Sequence, residues 1–236
     1  MRKPLLAALA AVGALLSGPT DSFAQSRIYL RMLPEVALTS VAHTKEVTSS
    51  TGSSSSSSST SRPEGGINFY LGYLAPVSAN WRIGAEFRGT ISLRGEIDGT
   101  TPSSGSGTHA VWPGPWDFAN RVGLGGNIVV GRELPFINSR GYVFAGIARW
   151  NSDLRSAGAD PASEELVDDA RTTGRWPLNT GIGLTLPFTR PLDIRLRYFR
   201  SATGWNVSHN FNQQALEFDY QFVVSGLALS AGLGTR

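Results

Sequence analysis

Hydrophobic and polar residues alternate strictly over residues 81–96. Odd positions hold Trp81, Ile83, Ala85, Phe87, Gly89, Ile91 and Leu93, while even positions carry Arg82, Glu86, Arg88, Thr90, Ser92, Arg94 and Glu96. Successive side chains of a strand point to opposite faces, so this stretch predicts a strand with one apolar face and one face of mixed charge. It is much longer than the usual strand of roughly five or six residues. Such a strand suits a barrel wall between lipid and a polar interior.

The same period recurs along the chain. Residues 27–41 set Ile28, Leu30, Met32, Val36 and Leu38 against Arg27, Arg31, Glu35 and Thr39, with Pro34 interrupting the run. Further strands are predicted at 67–75, 118–134, 141–151, 175–186 and 192–200. The last one sets Leu216, Phe218, Tyr220 and Phe222 against Glu217, Asp219 and Gln221. Beyond it the apolar phase reverses, since Leu227, Leu229 and Leu233 are odd. A bulge or a turn is therefore expected at 223–226.

Connections at 48–66, 98–117, 152–173 and 202–212 are long, and those at 76–80, 135–140 and 187–191 are short. That alternation predicts an all-β, eight-stranded antiparallel up-and-down transmembrane barrel with short periplasmic turns and long extracellular loops. Closure removes the unpaired edges that hydrocarbon would not tolerate. The Ser-rich tract at 48–66 reads as a flexible surface loop, its alternative being a linker that detaches the first strand. Trp112, Trp116, Trp150, Trp176 and Trp205 fall beside the long connections and Trp81 at the opposite rim, which predicts an interfacial aromatic belt. The competing fold is a secreted lipocalin-like or sandwich protein, which would bury the apolar faces and expose the charged ones.

Composition narrows the class. Arg2 and Lys3 precede an apolar run and the small residues Ser22 and Ala24, so 1–24 reads as a cleaved export signal and 25–236 as the barrel domain, placed in the cell outer membrane. The chain has no cysteine, which excludes disulfides and thiolate metal sites. A net charge of +3 gives no support for a nucleic-acid partner. Lys3 and Lys45 are the only lysines, and arginine suits charges packed inside a protein because it pairs carboxylates bidentately.

The stretch GINFYLGYLAPVSANWRIGAEFRG at 66–89, with its Gly-rich strand, short turn ending in Asn-Trp and alternating E-x-R strand, resembles the small outer-membrane β-barrel proteins of the opacity-like and porin-like surface antigen group. NTGIGLTLPFTRPLDIRLRYFR at 179–200 is similar to that group's penultimate hairpin. The resemblance covers most of the chain after the signal and implies a barrel with surface-displayed loops. Members generally end on an aromatic residue used in assembly, whereas this chain ends GLGTR; the resemblance then implies that Phe222 or a neighbour supplies the signal, or that recognition differs.

The charged faces of the strands, turned inward, predict a lumen ion-pair network of Arg31, Glu35, Arg82, Glu86, Arg88, Arg94, Arg195, Arg197, Glu217 and Asp219, in which Arg195 and Arg197 reach Glu217 and Asp219. Arg121, Arg149, Arg175 and Asp193 fall on the same predicted face. An eight-stranded barrel is just filled by its side chains, so the network reads as a plug, its alternative being a narrow anion-attracting channel. The enzyme reading lacks support: the His-x-Ser pair of the lipid A deacylase barrels is absent, the histidines reading His43-Thr-Lys, His109-Ala-Val and His209-Asn-Phe. The GLGGN run at 123–127 opens no helix, and the acids Asp160, Glu164, Glu165, Asp168 and Asp169 lack the spacing of a calcium loop. The sequence thus predicts a structural or interaction protein with no cofactor, whose partners are outer-membrane lipid and an extracellular ligand met by the long connections.

Overall fold

A single antiparallel sheet closes on itself in the computed structural model, which describes residues 27–94, 96–160, 165–211 and 214–235. Its strands are β1 (Arg27–Ser49), β2 (Gly52–Pro76), β3 (Trp81–Arg94), β4 (Glu96–Thr101), β5 (Gly114–Leu134), β6 (Ser139–Ala159), β7 (Leu166–Arg175), β8 (Leu178–Leu186), β9 (Leu192–Phe211) and β10 (Gln214–Gly234). β3 with β4, and β7 with β8, each make one interrupted strand against a continuous neighbour, so the ring has 8 strands. The predicted signal segment lies outside the described residues.

The register sets the tilt. Followed round the ring, Leu30 pairs with Leu71, Phe87, Gly126, Ile147, Leu178, Arg200 and Ser225 in turn, and Ser225 returns to β1 at Ser40. That displacement of ten residues over eight strands tilts them by about 40°.

Outward side chains are apolar over only the lower half of the wall. On β1 Ile28, Met32, Val36 and Leu38 are exposed, and above them come Ser40, Thr44, Glu46 and Thr48. Phe87 and Ile91 on β3, Leu124 and Ile128 on β5, Leu178 and Ile182 on β8, and Leu227 and Leu229 on β10 continue the belt. At about 3.3 Å per residue and that tilt, the belt is about 25 Å tall, the height of a hydrocarbon core spanned by a barrel.

The upper wall corrects the sequence expectation most. The Ser-rich tract is neither a loop nor a linker: from Gly52 it pairs residue by residue with β1, leaving a turn at Ser50 and Thr51. Serine cannot fill a core, but within a closed ring its backbone groups are satisfied by neighbouring strands. Its small inward side chains also leave room for large ones opposite, as where Trp116 Nε1 donates to Ser58 Oγ at 2.8 Å. β6 with β7 and β9 with β10 likewise carry the expected loops at 152–173 and 202–212 upward as wall. Only 102–113 remains a long connection among the described residues.

β10 shows why its pattern misled. Its pairing with β1 and β9 runs through 223–226 without a shift, so no bulge or turn sits there. Even positions face inward throughout; the apolar residues change sides because the surroundings change. Below, the outside is apolar and Ala228 and Ser230 face in; above, Phe218, Tyr220, Phe222 and Val224 fill the lumen, all at 0 % exposure.

Candidate functional site

The lumen is packed in layers, and the lowest is ionic. Arg195 clamps Glu86 with two bonds of 2.9 and 2.6 Å, and its Nε reaches Asp193 at 2.8 Å. Arg31 joins Asp193 at 3.1 Å. Tyr29 donates to Glu86 at 2.6 Å and Tyr142 to Asp193 at 2.7 Å, while Tyr70 lies 4.0 Å beneath the Arg195 guanidinium. Arg195, Glu86 and Asp193 are all at 0 % side-chain exposure. Buried ions on this scale persist only when further hydrogen bonds meet their lone pairs, here from the tyrosines together with Asn127 on Glu86 and Thr185 on Asp193. Beside this layer Arg82 and Arg140 share Glu133, at 2.8 and 2.7 Å.

The middle layer is more mixed. Arg197 pairs Glu35 at 2.5 Å. Arg88 donates to Asn179 at 3.4 Å, and Arg175 is held by Ser152 at 2.9 Å together with Asn120 and Ser201. Glu64 accepts from Asn120 at 3.3 Å. A cavity of about 50 Å³ at the lower end and one of about 30 Å³ between Glu64, Arg175 and Arg197 have room for a few water molecules each.

The upper layer is aromatic. His43 lies between Trp116 and Tyr220, with ring centroids 5.6 and 6.2 Å away, and its Nδ1 is 2.9 Å from Thr101 Oγ1. Trp205 stacks on Phe222 at 5.8 Å. Trp112 comes from the 102–113 connection, which folds back into the mouth and packs Trp112 on Phe211 and Phe218. Lys45, fully buried, ties that connection to the wall through the carbonyls of Trp112 and Ala157, both at 3.1 Å. Burial, then Lys45, presses the His43 imidazole down to about 3, and burial lowers the Lys45 ammonium to about 8. Tyr220 is raised by burial and by its 2.6 Å bond to Asp169, which also meets His209 at 3.0 Å.

Arg31, Glu35, Arg82, Glu86, Arg88, Arg195 and Arg197 therefore all lie inside, but with other partners than those expected. Glu217 and Asp219 face outward above the belt, where Glu217 accepts from Asn206 at 3.1 Å and Asp219 from Gln221 at 3.3 Å. They share the outward phase with Leu227 and Leu229. The side chain of Arg94 lies outside the described residues. Arg121 and Arg149 also point outward, Arg121 paired with Asp153 and Arg149 lying over Trp176 at 6.0 Å. The aromatic belt is corrected too: Trp81 and Trp176 are exposed at 46 % and 58 %, but Trp112, Trp116, Trp150 and Trp205 are buried in the lumen. Of the acids at 165–169, Asp168 is gripped by Arg155 at 2.7 Å, which draws its carboxyl below the usual range.

Sequence reasoning missed Tyr29, Tyr70, Tyr142, Glu64 and His43. For Tyr29 the parity with Arg31 was the available signal, whereas Tyr142 shares its face with Phe144 and Trp150 opposite Arg149, so reading Arg149 as inward put all three on the wrong side.

No family model matches the chain, and no curated protein does. Among solved structures the fold is similar to Ail, the attachment invasion locus protein of Yersinia pestis, with 12% identity over 85% of this chain and 97% of that one, at a TM-score of 0.33. It is also similar to Neisserial surface protein A, with 11% identity, 86% and 97% coverage and a TM-score of 0.31. The outer membrane protease OmpT of Escherichia coli is similar at 9% identity, 89% and 99% coverage and a TM-score of 0.36.

Proposed function

We propose that this barrel spans the outer membrane with a sealed lumen and works by its outer surface, as a surface-displayed structural or interaction protein and not as a pore or an enzyme. The observation that carries the reading is the filling of the interior: Arg88, Arg195, Tyr70, Trp116, Phe118, Phe218, Tyr220 and Phe222 are each at 0–1 % exposure. Above the belt the wall continues for roughly another ten residues per strand, offering a rigid exterior to the medium. That exterior carries serines on β2 and an ion-pair ladder of Arg62 with Asp98, Arg121 with Asp153, and Arg155 with Asp117 and Asp168. A ligand met there would bind the outer wall and the 102–113 connection.

Purified protein in planar bilayers tests the seal. The expected result is insertion without stable conductance steps. Reproducible unit openings from homogeneous protein would establish the channel instead.

A further inference from the structure

Three arginines point outward at the upper edge of the apolar belt. They are Arg121 on β5, Arg149 on β6 and Arg200 on β9, all exposed. The register puts Arg149 and Arg200 at one height. Ile147, two residues below Arg149, pairs with Leu178, which pairs with Arg200, and the tilt lifts each successive strand by about 3 Å. Arg149 and Arg200 thus stand two strands apart, about 10 Å, with Trp176 of the intervening strand segment between them. Arg149 lies against the Trp176 ring at 6.0 Å.

Their lack of partners sets two of them apart. Arg62, Arg121 and Arg155 on the outer wall are ion-paired, whereas among the described residues no carboxylate meets Arg149 or Arg200. Elsewhere on this rim β1 presents Ser40 and β10 presents Ser225, and the break between β7 and β8 presents Trp176. Unpaired guanidiniums at the boundary between hydrocarbon and water face whatever charge the adjoining lipid carries. Guanidinium binds phosphate oxygens bidentately, and an indole at that depth packs on the sugar or upper acyl region of a lipid.

We propose that Arg149, Arg200 and Trp176, flanked by Arg121, form a site for the phosphorylated headgroup of an outer-leaflet glycolipid. The site rests on the reading of the barrel as membrane-spanning. It confines the lipid to the β5 to β9 side and so fixes which sector of the wall faces bound glycolipid.

The test is native mass spectrometry of the full chain released from phosphatidylcholine vesicles containing diphosphoryl lipid A. Lipid A is expected to stay bound, in preference to phosphatidylcholine and against a large excess of inorganic phosphate. The double variant Arg149→Gln/Arg200→Gln should weaken retention by about thirtyfold, roughly fivefold for each arginine at a charged membrane surface. Arg62→Gln should leave it unchanged, and Arg149→Lys/Arg200→Lys should restore most of it. Heat-modifiable gel migration checks that each variant is folded. Equal retention by wild type and the glutamine variant, or displacement by inorganic phosphate, overturns the site. Failure of the wild type to insert into pure phosphatidylcholine vesicles overturns the membrane reading instead.

Discussion

Glu86 is the residue on which the lower lumen converges. It takes two bonds from Arg195 and one from Tyr29, and all three groups are buried. Glu86→Ala leaves the Arg195 guanidinium with only Asp193 as counter-charge and two of its donors unmet, and should destabilise the barrel by about 3 to 5 kcal/mol in detergent unfolding. His43 gives the upper lumen a pH dependence. Neutral in the fold, with its value pressed from 6.5 to about 3, it takes up a proton on unfolding at any pH between the two. Its share of stability is therefore full above 6.5 and lost as pH falls towards 3. His43→Phe should flatten that part of the pH profile, read as the difference between wild type and variant in urea midpoints. At this scale the lower, ionic lumen was legible, because Arg31, Glu35, Arg82, Glu86, Arg88, Arg195 and Arg197 alternate with residues that are apolar at belt height, whereas phase alone placed Arg121, Arg149, Glu217 and Asp219 on the same face and they point outward. The tyrosines and Glu64 were not, since their roles depend on partners far away in sequence, such as Tyr29 on Glu86.

β10 and β2 carry the lesson at the scale of elements. Alternation identifies a strand and its two faces, but not which face looks outward. In β10 the apolar parity switches between Val224 and Leu227 while the backbone parity stays constant, so the environment and not the register reverses. Leu229→Arg, on the lipid side, should cost about 2 to 4 kcal/mol near the middle of the belt. Gln221→Arg, eight residues earlier and also outward, should cost almost nothing. Phe222→Ala, in the upper lumen, should cost about 3 to 5 kcal/mol; refolding titrations separate the three. β2 makes the complementary point: its serines hide a strand because composition reports what a segment can bury, not what its backbone can pair with. One residue inserted after Ser57 moves Ser58 out of the lumen and should abolish refolding, whereas the same insertion between Ser50 and Thr51 lengthens a turn and should be tolerated.

For the whole molecule, the barrel is apolar outside and ionic inside at membrane depth, then polar outside and aromatic inside above it. The ring of 8 strands, its antiparallel order and the short lower turns were readable from spacing alone. The height of the wall was not, because its upper half exchanges the two faces and so breaks the pattern by which the lower half is recognised. Continuity of the wall through that exchange is most directly tested with spin labels on single cysteines along β10, in a chain that has no cysteine of its own. Labels at Leu227, Leu229 and Leu233 should be accessible to oxygen dissolved in lipid, those at Glu217, Asp219 and Gln221 to a water-soluble nickel complex, and those at Phe218, Phe222 and Ser230 to neither. Oxygen access at Phe218 and Phe222, with nickel excluded from Glu217 and Asp219, would contradict it.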